Sequence, residues 1–172
     1  SGMSPVAEID SLGVMSGDTK IVEGFVNSAI QVLSSELGAS VNVSKPSIQE
    51  AEYVTRGVTS MVGMTGQLRG MVIFGLLQST ALSLVSRMMG EQYEQLDEVA
   101  QSGIAEMGNV IAGSAVTLLA QAGWQCGITP PAMIIGEKSV ITLVNLSRLV
   151  VTLETPFGTI EMQLVLRGNG QH

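Results

Sequence analysis

The chain has 172 residues, of which 45% are hydrophobic and 13% are charged, and this balance excludes a disordered protein and predicts a packed core. The formal net charge is −7 with only eight Lys and Arg residues, which excludes the basic surface that a nucleic-acid partner needs. With one cysteine and one histidine, the sequence also excludes internal disulfides, zinc sites and His-activated nucleophiles.

The first and last residues are not expected to belong to the folded unit. We interpret residues 1–18 as a tag remnant followed by a flexible N-terminal segment, since Ser1 and Gly2 precede the first methionine. Residues 169–172 are expected to form a short tail, which leaves a single domain over residues 19–168. No signal peptide is recognised at the start, which predicts a cytoplasmic location.

The first predicted elements are a helix and a β-hairpin. Residues 20–37 carry apolar side chains at helical spacing, and the helix is expected to end at Gly38, since glycine readily adopts the left-handed conformation of helix ends. Residues 53–64 and 70–77 are rich in β-branched residues and are separated by a glycine-containing turn, which predicts two antiparallel strands. A short helix over residues 79–89 is expected to follow.

The second half of the sequence repeats this order of elements. A long helix is predicted over residues 93–122 because apolar residues recur there at helical spacing. The strands predicted after it cover residues 139–145, 149–155 and 159–166.

The positions of glycine and proline support an internal duplication. Pro46 lies eight residues after Gly38, the predicted end of the first long helix. Pro131 likewise lies eight residues after Gly123, the predicted end of the second. The two related halves are near residues 20–78 and 91–167. We therefore predict an α+β fold with a pseudo-twofold axis, in which an antiparallel sheet carries both long helices on one face.

The longest stretch without a charged residue, residues 107–136, is not predicted to enter a membrane. It contains Asn109, Gln121 and the pair Pro130 and Pro131, which interrupt the roughly 20 consecutive apolar residues that a transmembrane helix needs. We assign its apolar residues to elements packed inside the domain.

The second long helix presents a polar row opposite an apolar stripe. Ser102, Glu106 and Asn109 are spaced i, i+4 and i+7, so they lie along one side of the helix. The stripe predicted to face the core consists of Ala100, Ile104, Met107, Ile111, Ala115, Leu118 and Ala122.

Small residues surround the polar row. Those predicted to flank it are Gly103, Ala105, Ala112 and Gly113. Together with Gly108, this helix contains three glycines, each of which costs roughly 1 kcal/mol relative to alanine. We interpret the small residues that flank the row as steric clearance for the close approach of another protein surface. The alternative is an ordinary solvated face, on which small residues accommodate a neighbouring helix.

The pattern Ser102-xxx-Glu106-xx-Asn109, followed after 21 intervening residues by Pro131, resembles the signature of the CheC/CheX/FliY phosphatase family of bacterial chemotaxis. That signature reads (Asp/Ser)-xxx-Glu-xx-Asn-x21-Pro. The likeness extends over residues 21–167 and includes the duplicated layout. Because the motif occurs once here, the chain is most similar to the CheX branch, whose members have one site per chain and are typically homodimers.

The resemblance implies a phosphatase that removes phosphate from an aspartate of a CheY-type response regulator and so ends a chemotaxis signal. It implies that Asn109 orients the attacking water and that Glu106 pairs with a lysine of the regulator. Ser102 and Gly113 are expected at the interface with this partner, whereas Pro131 is expected to fix the entry to the next strand. No cofactor or metal is expected on this chain, since Mg²⁺ belongs to the phosphorylated regulator.

The first half does not contain the signature. The register set by the two helix-ending glycines places Ile21 at the position of Glu106. The same register places Gly24 at the position of Asn109, and neither residue could perform the same chemistry.

A non-catalytic protein is the alternative function. Related domains of flagellar switch proteins share the fold and lack the Glu/Asn pair, so a response-regulator-binding or flagellar-switch adaptor module is the competing interpretation. The open edges of the expected sheet, together with the resemblance, predict a homodimer.

Overall fold

The computed structural model describes residues 19–49, 52–142 and 148–168. The predicted N-terminal segment (1–18), the predicted tail (169–172) and the end of the strand predicted over 139–145 lie outside these residues. The helices described are α1 (Thr19–Leu37), α2 (Gln78–Met89) and α3 (Glu98–Gln121). The strands described are β1 (Asn42–Val43), β2 (Ser47–Gln49), β3 (Glu52–Gly66), β4 (Leu68–Leu76), β5 (Cys126–Ile128), β6 (Ala132–Thr142), β7 (Arg148–Thr155) and β8 (Gly158–Gly168).

The strands form one antiparallel sheet in the order β1-β7-β8-β4-β3-β5, with β2 also pairing with β7 and β6 with β3. The two predicted hairpins, β3–β4 and β7–β8, lie side by side through the pairing of β4 with β8. The outer strands are exchanged between the halves, because β1 and β2 pair with the second hairpin while β5 and β6 pair with the first. This arrangement confirms the predicted duplication and its pseudo-twofold axis.

The three helices pack on one face of the sheet, as predicted. Alternate residues of the central strands point into this main core, among them Val72 and Phe74 of β4 and Leu164 of β8. The residues between them, Ile73 and Val165, point to the opposite face and form a smaller outer cluster with Tyr53. The long helices are therefore fixed on one side of the molecule by a continuous apolar layer.

Glycines end the first two helices in the left-handed conformation that the sequence predicted. Gly38 directly follows α1 with a φ of 61°, and Gly90 directly follows α2 with a φ of 73°. The backbone N–H of Gly90 donates to the carbonyl of Ser86, which satisfies one of the free carbonyls at the helix end.

Helix α3 begins later than predicted. We expected it to start at residue 93, but its first residue is Glu98. The side chain of Asp97 accepts a hydrogen bond of 2.9 Å from the backbone N–H of Ala100. Asp97 itself has an extended backbone, so it acts as the helix cap and the acidic residues before it are not helical.

The strands at the edges of the sheet differ most from the prediction. The first strand of the second half was expected at Ser139, but β6 begins at Ala132, directly after Pro131. Its side chains are mostly exposed and do not alternate, so the sequence pattern could not reveal it. Strands β1, β2 and β5, of two or three residues each, were not predicted because they are too short to show a period.

Helix α3 is also the one described helix that is long and apolar enough to cross a membrane by composition, with a mean hydropathy of 1.4. The core helix of a globular domain meets the same criterion. Here the apolar side of α3 packs against α1 and the sheet, which accounts for its composition.

Candidate functional site

Helix α3 carries the polar row and is held on two sides. On the helix side, the hydroxyl of Ser28 in α1 donates a buried hydrogen bond of 2.6 Å to the backbone carbonyl of Ile111. On the sheet side, Phe74 of β4 is so close that a Cβ atom on Gly108 would lie 2.9 Å from its Cδ2 atom. These contacts orient the helix so that its remaining side faces away from the core.

Gly108 was not predicted to flank the polar row, and it is buried against the sheet. The clearance interpretation is incomplete for Gly103, because a Cβ atom there would lie 3.3 Å from a methyl group of Val85 in α2. Gly103 therefore accommodates a neighbouring helix, as the alternative interpretation held. Ala112 was predicted to flank the polar row, but it is fully buried.

The core side of α3 follows the predicted stripe except at its C-terminal end. Leu119 is 1% exposed and occupies the core position that was assigned to Leu118, which is only half-buried. Ala122 lies beyond the helix and is exposed.

The structure brings the predicted polar residues together on the side of α3 that faces solvent. Ser102 and Glu106 are exposed and Asn109 is half-buried. Side chains three residues apart on a helix lie roughly 5–6 Å from each other at Cβ, so Glu106 and Asn109 can contact one ligand. Within the described residues, neither side chain has a hydrogen-bond or ion-pair partner, so both polar tips are available to another molecule.

The remaining predicted site residues occupy different surroundings. Gly113 is half-buried, and a Cβ atom there would have ordinary contact at 3.8 Å with Ile128 of β5, so packing does not require glycine. Pro131 lies between β5 and β6 and is the residue directly before β6. It is not part of the surface around Glu106, and its position fits the architectural role that we expected.

A cleft that sequence reasoning missed opens beside Glu106, where the three helices meet. It holds about 240 Å³ and is lined by Val32 and Glu36 of α1, Met88 and Met89 of α2, and Glu106 and Val110 of α3. We call it the methionine cleft. Because its walls come from three separate helices, the sequence gives only a weak signal for the cleft. That signal is the pair of apolar residues, Met88 and Met89, at the end of the short helix α2.

A second cleft of about 240 Å³ lies at the corresponding place in the first half. On α1 it is lined by Lys20, Glu23, Gly24 and Asn27. A shift of 83 positions converts these into the α3 residues that line the methionine cleft, Gly103, Glu106, Met107 and Val110. The two clefts are therefore related by the internal duplication.

This register corrects the predicted one. Ile21, which was placed opposite the exposed Glu106, is fully buried. The structure instead matches the exposed Glu23 to Glu106 and the half-buried Val26 to Asn109. The two registers differ by two positions, and one of these arises because Gly38 directly follows α1 whereas one further residue separates α3 from its glycine. The first half thus retains the acid of the pair and carries valine where the amide would be.

The described residues contain no group of three or more His, Cys, Asp and Glu side chains that could hold a metal ion. The free thiol of Cys126 is half-buried on β5, and this burial raises its pKa above the ordinary value. A raised pKa keeps the sulfur protonated and weakly nucleophilic at neutral pH. Among the described residues, the polar row on α3 is the group that we select as the candidate site.

Several known proteins resemble this chain in sequence or in structure. A family model described as chemotaxis phosphatase CheX matches residues 58–154, a range that includes the whole motif. The CheY-P phosphatase CheX of Thermotoga maritima is 35% identical over 121 residues, which cover 70% of this chain and 78% of the relative. A chemotaxis protein CheX from Desulfovibrio desulfuricans has a similar structure, with a TM-score of 0.77, 22% identity and coverage of 85% of this chain and 98% of that chain. The CheX-CheY-BeF3-Mg²⁺ complex from Borrelia burgdorferi matches with a TM-score of 0.73 and 31% identity, covering 85% of this chain and 97% of that chain.

Proposed function

Because the chain belongs to the CheX family of chemotaxis phosphatases, it is a response-regulator phosphatase, and we propose that Asn109 and Glu106 carry out its reaction. The substrate is the aspartyl phosphate on a CheY-type receiver domain, and its hydrolysis ends a chemotaxis signal. The observation that carries the proposal is that both side chains lie one turn apart on the solvent side of one helix, with no hydrogen-bond or ion-pair partner among the described residues.

Asn109 orients the attacking water. An amide both donates and accepts hydrogen bonds, and it adds no negative charge beside the phosphoryl group. The water oxygen attacks phosphorus, the bond from phosphorus to the aspartate carboxylate breaks, and inorganic phosphate and free aspartate result. Since an acyl phosphate is already reactive, positioning the water supplies most of the catalysis that this chain must add.

Glu106 binds the lysine of the receiver's phosphorylation site. Its carboxylate is exposed in the free protein, so it is solvated until the partner arrives. Docking removes that water, and the attraction between carboxylate and ammonium strengthens as the local dielectric constant falls. Glu106 thereby holds the phosphorylated aspartate in line with the water on Asn109.

The other motif residues have supporting roles in this proposal. Ser102 lies one turn before Glu106 on the exposed side of α3 and is assigned to the interface with the receiver. Gly113 lies one turn beyond Asn109 and leaves room for the same partner. Pro131 fixes the entry to β6 and is assigned no contact with phosphate.

This chain supplies no cofactor in the proposed reaction. Mg²⁺ enters with the phosphorylated receiver, where it neutralises charge on the phosphoryl oxygens. The relative from Borrelia burgdorferi was solved as a complex with CheY, BeF3 and Mg²⁺, which supports this assignment. Because receiver domains are cytoplasmic, the proposal includes a cytoplasmic location.

The test compares the two halves of the molecule. Receiver domains are phosphorylated with a small phosphodonor in the presence of Mg²⁺, and phosphate loss is followed with the wild type and with Asn109→Ala, Glu106→Ala and Glu23→Ala. Asn109→Ala is expected to lower the rate by about a hundredfold, because the water loses its position. Glu23→Ala is the matched control, since Glu23 occupies the Glu106 position of the half without an amide.

Two results would contradict the proposal. A fully active and folded Asn109→Ala variant would remove the amide from the mechanism. A wild type that binds phosphorylated receivers but does not accelerate phosphate loss would favour the adaptor function instead.

We also propose that the chain forms a homodimer through β6. Within the described residues β6 pairs with β3 alone, which leaves a long strand edge unpaired. Ile135 and Val140 on this strand are 45% and 57% exposed. Exposed apolar edges favour pairing with a second strand. The mass of wild type and Ile135→Lys in solution tests this, and a wild-type monomer at all concentrations would overturn it.

A further inference from the structure

The methionine cleft has exposed apolar side chains at its rim. Met89 is 51% exposed and Val110 is 41% exposed, and both are at the rim of the same opening. Most large apolar residues on the helices are buried in the core. Apolar surface that is grouped around a concave opening is typical of a binding site for another molecule.

The cleft is continuous with the proposed catalytic pair. The side chain of Glu106 forms part of its wall, and Val110 is the next residue after Asn109 on the helix. Any protein that brings a phosphorylated aspartate to Asn109 therefore comes to lie over the mouth of this cleft. A partner docked at the catalytic pair is therefore in position to fill the cleft as well.

The charges around the cleft indicate which residues of that partner fit. Glu36 on α1 and Glu106 on α3 lie on opposite walls, and the described residues that line the opening include no basic side chain. The methionine side chains are flexible and polarisable, so they adapt to an inserted apolar group. An apolar side chain with a basic neighbour satisfies both features.

The cleft of the first half provides an internal comparison. It has the same volume of about 240 Å³, but its walls include Lys20, Asn27 and Gln121 and contain no methionine. The duplication therefore places an opening of similar volume beside the long helix of each half. Of the two, the opening beside the Glu/Asn pair is the one whose described lining is mostly apolar.

We propose that the methionine cleft binds an apolar side chain of the response regulator's receiver domain, flanked by a basic residue, in the same encounter that places the aspartyl phosphate at Asn109. This inference rests on the proposed phosphatase function. It adds a contact that determines affinity for the regulator and takes no part in the chemistry.

The experiment uses the full chain and near-isosteric substitutions on exposed or half-buried positions. Met89→Gln and Val110→Thr make the cleft polar with little change in shape. Leu118→Gln in the first-half cleft and Val54→Thr on β3 are the matched controls. Steady-state hydrolysis of a phosphorylated receiver gives KM and kcat, and titration with a beryllofluoride-activated receiver gives the affinity directly.

Each cleft variant is expected to raise KM and Kd by about tenfold with kcat within twofold of the wild type, because an apolar group is lost from a buried contact. Glu36→Gln is expected to raise KM several-fold and to weaken the salt dependence of binding. Both control variants are expected to match the wild type.

Unchanged KM and Kd in both Met89→Gln and Val110→Thr, with normal hydrolysis, would overturn the inference and leave the phosphatase function intact. Equal losses in the control variants would also overturn it, because the effect would then not belong to the cleft. A wild type that neither binds nor hydrolyses any phosphorylated receiver would overturn both proposals. In that case the rates of phosphate loss with the wild type and with Asn109→Ala would be the same.

Discussion

A Cβ atom on Gly108 would lie 2.9 Å from the Cδ2 atom of Phe74, so the glycine in the middle of α3 is required by the side chain of β4 beneath it. Gly108→Ala would gain roughly 1 kcal/mol of helix propensity but would overpack the core, which typically costs about 1–3 kcal/mol. Because Phe74 is fully buried and cannot move outward, we expect a net loss of stability in urea unfolding.

Gly113 in the same helix should behave in the opposite way. The nearest atom to a Cβ atom there is the Cδ1 of Ile128 at 3.8 Å, which is ordinary contact. Gly113→Ala is expected to raise the free energy of unfolding by about 0.5–1 kcal/mol, because alanine restricts the unfolded chain and favours the helix. A loss of stability in this variant would mean that α3 lies closer to β5 than the structure indicates. If the receiver uses the space at Gly113, the same variant will also raise KM.

These two glycines show how far the sequence could predict the molecule. Helical spacing gave the face on which Glu106 and Asn109 lie, and the internal duplication gave the sheet and its hairpins. The sequence could not show that Phe74, 34 positions away in the chain, packs against Gly108, because that contact depends on the fold. The methionine cleft was missed for the same reason, since three helices build it.

The predicted boundaries of the elements were wrong where contacts outside the element determine them. The acidic residues before Asp97 have good helix propensity, and their spacing gave no reason to end the helix early. One hydrogen bond from the N–H of Ala100 to the Asp97 carboxylate fixes the first turn instead. The short edge strands are likewise held by pairing with distant strands and have no periodic pattern of their own.

Asp97 is expected to stabilise the helix that carries the proposed site. Asp97→Ala should lower the free energy of unfolding by about 1 kcal/mol, since it removes the acceptor for a backbone N–H at the helix start. Asp97→Asn keeps an acceptor and is the matched control, with a smaller loss that reflects only the charge at the helix N-terminus. Equal losses in the two variants, measured by urea unfolding, would assign the effect to charge and would contradict the capping role.

Tyr53 gives the protein a predictable response to alkaline pH. Its ring lies on the outer face of the sheet, stacked 5.3 Å from the guanidinium carbon of Arg148, and its hydroxyl lies directly over Gly75. Burial raises the pKa of Tyr53 above its ordinary value of 10.0. The chain has two tyrosines, so the Tyr93→Phe variant isolates the titration of Tyr53 by absorbance at alkaline pH.

The sign of the effect on stability follows from this shift. The folded state keeps the proton of Tyr53 at pH values where the unfolded state, with a pKa of about 10, has begun to lose it. The stabilising contribution is therefore complete below pH 10 and is lost as the pH rises through the higher pKa of the folded state. Tyr53→Phe should make the decline of the unfolding free energy above pH 10 less steep. An ordinary pKa for Tyr53 in the folded Tyr93→Phe protein would show that water reaches the hydroxyl, and it would contradict the packing of the outer cluster.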